Sequence, residues 1–94
     1  MKILFIGGTG IISTACAELA VQRGLDLTLL NRGHGKNIDG TRQFVADIND
    51  VASAKKVLGD THWDVVVDFI SFTPGDLKNR LEIFRGKVAQ FIFI

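Results

Sequence analysis

A short apolar run that ends in a glycine turn and passes straight into a helix is the feature that most limits what this chain can become. Ile3-Leu4-Phe5-Ile6 are consecutive apolar residues, and Gly7-Gly8-Thr9-Gly10 follows at once. A strand with one wet face alternates apolar and polar residues, whereas a strand covered on both faces reads as a continuous apolar run like this one. After the turn, Ile12, Cys16, Leu19 and Ala20 fall at helical spacing, with Ala15 filling the same stripe. Arg23 lies in the last turn of that helix, and Gly24 suits the left-handed position that closes it.

The remainder repeats the alternation. Leu25 to Leu30 is a second strand-length apolar run, and Asn31 to Arg42 is a polar loop holding three glycines. A connection of that length inside a small domain favours a functional loop. Gln43 to Ala46 reads as a third strand ending at Asp47, with Asn49 or Asp50 capping a helix over Val51 to Leu58 and Gly59 stopping it. Lys55 and Lys56 lie near that helix's carboxyl end, where cations are favoured. Asp64 to Ile70, with three consecutive valines, is the clearest strand. Thr73-Pro74 opens a third helix with a cap hydroxyl and a first-turn proline, and Asp76 agrees with the helix dipole. Leu77, Leu81 and Phe84 give this helix an apolar face, Gly86 ends it, and Val88 to Ile94 is a fifth strand. Strands of this kind alternating with helices predict a doubly wound α/β domain, a parallel sheet of about five strands with roughly three helices.

Composition narrows the function. The 94 residues make one small domain, and 47% hydrophobic content is enough for a core. Eleven basic and ten acidic side chains leave a net charge of +1, so no global field points to nucleic acid or an anionic membrane. The single cysteine, Cys16, has no partner for an internal disulfide, which suits a reducing, cytoplasmic compartment. No apolar run reaches 18 residues, so no membrane span is expected. Lys2, the apolar run and Ala15-Cys16-Ala17 imitate a secretion leader, but Gly7, Gly8 and Gly10 interrupt it and the helical pattern continues past Ala17.

The glycine turn carries the chemistry. It supports two spacings at once, Gly8-x-Gly10-x-x-Ser13 and Gly7-x-x-Gly10-x-x-Ser13. Each meets the demands of a dinucleotide turn: a glycine with a backbone angle that side chains obstruct, a glycine over which the pyrophosphate approaches the main chain, and a small third residue for helix–strand packing. The amides of Gly10, Ile11 and Ile12 would then face the pyrophosphate, aided by the positive end of the helix. A glycine turn that merely joins the two elements is the plain alternative. No Gly-Lys-Ser/Thr follows at the distance a P-loop requires.

Two further clues lie downstream. Dinucleotide sites place an acid about 20 residues past the glycines to bond the adenosine ribose. Here 21 positions beyond Gly10 stands Asn31, followed by Arg32. Asparagine lacks the charge that would repel a 2′-phosphate, and Arg32 could pair with one, with His34, Lys36 and Arg42 adding positive charge nearby. The pattern favours NADP(H) over NAD(H). The same basic residues would otherwise form a solvated loop. Asp47, at the end of strand three, could accept from the adenine amino group while the backbone of Ile48 reads the ring edge; position alone equally allows a helix cap. Asp68 falls inside an apolar strand and needs a partner that the sequence does not name. Phe69, Ile70 and Ser71 end that strand where the nicotinamide half would pass. No metal-ligating set stands out.

Taken together, MKILFIGGTGIIS, LTLLNRG, VADIND and DVVVDFI resemble the N-terminal part of the extended short-chain dehydrogenase/reductases, in the NAD-dependent epimerase/dehydratase branch. The resemblance covers the whole chain. It implies a Rossmann-type domain in which Gly7, Gly10, Ile11 and Ile12 hold the pyrophosphate. Asn31 and Arg32 would meet the adenosine ribose, Asp47 and Ile48 the adenine, and Phe69 to Ser71 the middle of the cofactor. Ser13 departs from the family's usual third glycine, and Asn31 from the acid of NAD-preferring members. Family catalysis uses a Ser/Thr after the fifth strand and a Tyr-x-x-x-Lys, and this chain has no tyrosine. The resemblance therefore implies a cofactor-binding fragment, residues 1–94, without the catalytic and small-molecule-binding region and with no catalytic residue of its own. A non-catalytic module, such as a redox sensor, regulator or RNA-binding relative, is the alternative. Val88 to Ile94 would form an exposed apolar edge, so self-association is expected.

Overall fold

The computed structural model describes residues 1–7, 11–32, 39–70 and 73–94, the side chains of residues 11–13 excepted. Strand β1 (Lys2–Ile6) is followed by helix α1 (Ile11–Gln22), β2 (Asp26–Asn31), β3 (Arg42–Val45), α2 (Val51–Leu58), β4 (Trp63–Asp68), α3 (Pro74–Phe84) and β5 (Val88–Phe93). All five strands run parallel in one sheet ordered β3-β2-β1-β4-β5. The doubly wound α/β expectation is met, and β1 lies at the centre, with Ile6 paired to Leu30 on one side and Asp68 on the other.

Each strand face has its own core. Leu4, Ile6, Leu30 and Val66 pack against Ala54 and Leu58 of α2 and Ile83 and Phe84 of α3. Ile3, Phe5, Leu27 and Leu29 pack on the opposite face against Ala17 and Ala20 of α1. The unbroken apolar run Ile3 to Ile6 of β1 follows from this, because both of its faces are covered. Gly40, shortly before β3, has a φ of +85°, and a Cβ there would come within 2.6 Å of Val21 of α1.

Helix ends form where the residues indicate. Asp50, not Asn49, caps α2 through Ser53, and Thr73 and Asp76 make a reciprocal capping box on α3. Two expected helix faces are corrected. Among the described side chains of α1 the buried ones are Ala17 and Ala20, while Ala15, Cys16 and Leu19 are exposed. Phe5, Leu27 and Leu29 already fill that layer, so small side chains bring the helix close. In α3 the buried residues are Arg80, Ile83 and Phe84, whereas Leu77 and Leu81 are exposed. Phe84 fits the expected stripe, but the helix is turned so that Arg80 enters the fold.

Strand ends shift as well. β3 stops at Val45, two residues short of Asp47, and β4 stops at Asp68, so Phe69 and Ile70 lie in a bend beyond it. The observed face of α3 makes a direct prediction for urea unfolding. Ile83→Ala should lower stability by about 2–5 kcal/mol, and Leu81→Ala should change it by no more than about 0.5 kcal/mol. The opposite ranking would restore the face expected from spacing.

Candidate functional site

Because every strand is parallel, the carboxyl ends of β1, β2, β3 and β4 open on one edge of the sheet. The connections diverge there: β1 leads to β2 on one side, and the chain later crosses to β4 on the other. Such a switch point leaves a crevice that helices and strands cannot fill, and ligands of doubly wound folds lie in it.

The ladder runs one residue past the strands at this edge. The Gly7 N–H donates to Leu30 O at 2.9 Å, Phe69 N–H to Ile6 O at 3.1 Å, and Ala46 N–H to Asn31 O at 2.9 Å. Gly7, Ala46 and Phe69 thus lie one residue beyond the ends of β1, β3 and β4, and Asn31 ends β2 beside them. Gly7 has a φ of +79°, and a Cβ added there would meet Ile70 Cγ2 at 2.5 Å. Two constraints coincide at this residue: its backbone angle disfavours side chains, and Ile70 closes over it. Its N–H belongs to the sheet, so its part in the crevice is the turn itself.

The other candidate residues sort as follows. Gly8, Gly10 and Ser71 lie outside the described residues, as do His34 and Lys36. Ile11 and Ile12 open helix α1, so their amides stand at its N-terminal end; their side chains are outside the description. Asn31 ends β2 half-buried, and Arg32 follows it exposed. Asp47 is exposed and its Oδ1 accepts from the Asn49 N–H at 2.9 Å, so it organises its own loop and does not cap α2. The Ile48 side chain is buried in the α2/α3 core. The Phe69 ring packs edge-on against Phe5 at 5.2 Å in the α1-side core, and Ile70 is more open.

Asp68 has the partner that the sequence withheld. It is fully buried, its Oδ2 accepts from Arg80 Nε at 2.8 Å, and its Oδ1 accepts from the Ile70 N–H at 2.9 Å. Arg80, 1% exposed, also donates from Nη1 to Asn49 Oδ1 at 3.1 Å. Its Nη2 is buried without a hydrogen-bond partner. An ion pair of this depth is destabilising to break, by about 3–5 kcal/mol when one partner is removed. Spacing analysis missed Arg80 and Asn49. The available signal was the carboxylate in an apolar strand, which required a cation, and Arg80 stands three and four residues before Ile83 and Phe84 on the same helix face.

The described residues also form an apolar groove of about 280 Å³ between α3 and β5, bordered by Leu77, Leu81, Phe84, Val88, Phe91 and Phe93. Arg80 and Arg85 also border it. No group of three or more metal-ligating side chains occurs among the described residues, and no helix among them is long and apolar enough to cross a membrane.

No family model matches the chain. A UDP-glucose 4-epimerase from Lactobacillus helveticus is 32% identical over 98 aligned positions, which cover 98% of this chain and 30% of that protein. Among solved structures, a UDP-glucose 4-epimerase superposes with a TM-score of 0.82 at 21% identity, covering 99% of this chain and 35% of the other. The Bordetella bronchiseptica enzyme WbmG, solved in complex with NAD, gives a TM-score of 0.80 at 14% identity over 99% of this chain and 36% of the enzyme. The structural likenesses establish the Rossmann-type fold, and the sequence match adds kinship. In sequence the chain is thus similar to a UDP-glucose 4-epimerase, in fold to the solved structures of a UDP-glucose 4-epimerase and of WbmG, and it spans about a third of the length of the proteins it matches.

Proposed function

We propose that these 94 residues are the cofactor-binding portion of an NAD(P)-dependent epimerase, dehydratase or reductase that acts on a nucleotide sugar or a related small molecule. The observation that carries this reading is the crevice at the switch point, where Gly7 turns the chain at positive φ directly before α1. The N-terminal amides of a helix and its dipole favour a diphosphate, so Gly10, Ile11 and Ile12 would receive it. Asn31 and Arg32 stand where the adenosine ribose would lie. Asp47, with the backbone of Ile48, would meet the adenine, and Phe69, Ile70 and Ser71 would border the nicotinamide half.

A bound dinucleotide supplies a hydride acceptor and donor. What this chain contributes is binding and orientation: the turn admits the diphosphate, Ile70 closes the floor beside Gly7, and the buried Asp68 holds the Ile70 amide. With no tyrosine in these residues, the acid/base groups of the whole protein's reaction are assigned to the remainder of such an enzyme. The fold neighbour solved with NAD supports a nicotinamide dinucleotide as the ligand. We assign NADP(H) as the preferred form, because no carboxylate stands at Asn31 and the exposed Arg32 can pair with a 2′-phosphate. A cytoplasmic location suits the single exposed Cys16.

Self-association is the further expectation, since β5 lies at an edge of the sheet and Phe93 and Ile94 are exposed beside the apolar groove. Light scattering at high concentration should show dimers or larger species, and Phe93→Lys should shift them towards monomer; a monodisperse monomer of the unsubstituted chain would refute this.

Thermal unfolding tests the cofactor directly. At a hundredfold excess over its dissociation constant, NADPH or NADH should stabilise the chain by about 2.7 kcal/mol. No shift with either, in a sample shown to be folded, would overturn the reading. For the cofactor form, Arg32→Ala should weaken NADPH by roughly tenfold or more, the loss of one charge-assisted bond, and leave NADH within about twofold. Equal losses for both would remove the NADP preference.

A further inference from the structure

Arg80, 1% exposed, is the largest of the completely buried side chains among the described residues, yet it belongs to neither apolar cluster. Its guanidinium connects two loops that come from different strands. Through Nε it holds Asp68, whose other oxygen fixes the Ile70 amide, and Ile70 in turn rests against Gly7. Through Nη1 it holds Asn49, whose amide is tied to Asp47. The chain of contacts therefore runs Asp47, Asn49, Arg80, Asp68, Ile70, from the loop after β3 to the bend after β4. These are the two walls that the cofactor reading assigns to adenine and to the nicotinamide half.

From this we infer that Arg80 is a positioning residue that sets the span of the crevice. It touches no cofactor itself. It keeps the two walls at one separation, so that a ligand reaching both is received without reordering the loops. Burial makes the device stiff: an unpaired guanidinium or carboxylate here would be costly, so the arrangement with both ends engaged is strongly preferred. The fork geometry of arginine is what permits it, since one planar group donates in two directions, and a lysine ammonium at Asp68 would not also reach Asn49. This inference rests on the cofactor reading above.

The test uses the 94-residue chain, with NADH binding followed by nicotinamide fluorescence, ADP-ribose binding by calorimetry, and thermal unfolding of every variant. ADP-ribose carries the adenosine and diphosphate but lacks the nicotinamide, so it engages the second wall least. Asn49→Ala removes the bridge at an exposed residue and leaves the ion pair in place. It should weaken NADH roughly tenfold and leave ADP-ribose within about twofold, while the unfolding midpoint falls because Nη1 loses its partner. Asn49→Asp, which keeps an acceptor for Nη1, should restore NADH affinity. Arg80→Lys should show the same selective NADH loss, and the double variant Asn49→Ala with Arg80→Lys should lose no more than either alone. Additive losses would show that Asn49 acts on the ligand directly. Losses that are equal for NADH and ADP-ribose would reduce Arg80 to a structural role. Unchanged NADH binding in Asn49→Ala would refute the inference while the cofactor reading stands. Failure of the unsubstituted chain to bind NADH would end both.

Discussion

Strand β1 holds this structure together because both of its edges and both of its faces are used. It is hydrogen-bonded to β2 and β4, and Leu4 and Ile6 pack towards one helical layer while Ile3 and Phe5 pack towards the other. None of Ile3 to Ile6 can be polar without leaving a group unsatisfied in an apolar layer. The chain also diverges from it, to β2 in one direction and, later, to β4 in the other, so its carboxyl end cannot be roofed by a direct connection. The open crevice there is a consequence of topology before any side chain is considered.

What occupies the rim of that crevice is decided by a second constraint, the buried Asp68–Arg80 pair. A carboxylate at the end of a central strand would be a liability in isolation. Here it orders the bend that carries Ile70 and, through Arg80, the loop that carries Asp47 and Asn49. Apolar replacements of similar volume at both positions are often no less stable than such a pair. The value of the charges is thus better sought in loop geometry than in the free energy of folding, and the span of the crevice is the geometry they control.

Much of the fold was legible because its signals are local. Ile3 to Ile6, the glycine turn and the valines of β4 specify buried strands by composition alone, and Thr73-Pro74 with Asp76 specifies a helix start by its own hydrogen bonds. The candidate site was legible where a local rule operates, as at Gly7, whose positive φ the turn requires. Helix faces were less legible. Spacing placed Leu77 and Leu81 inwards, but a helix rotates to satisfy whatever lies beneath it, and a buried carboxylate outweighs two leucines that retain partial cover beside the groove. Strand ends failed for a related reason: Ile70 is apolar enough for a strand, yet the Asp68 side chain captures its amide and turns the chain.

By itself, then, the order of residues determined the parallel α/β class, the five strands and the position of the glycine turn, since each depends on neighbours within a few positions. Only the tertiary structure decided that Asp68 meets Arg80, that Arg80 reaches Asn49, and that Ile70 seals Gly7. Those partners lie 12, 31 and 63 positions apart, the last from residue 7 to residue 70. Contacts over such separations are set by how sheet and helices pack, which no local pattern encodes.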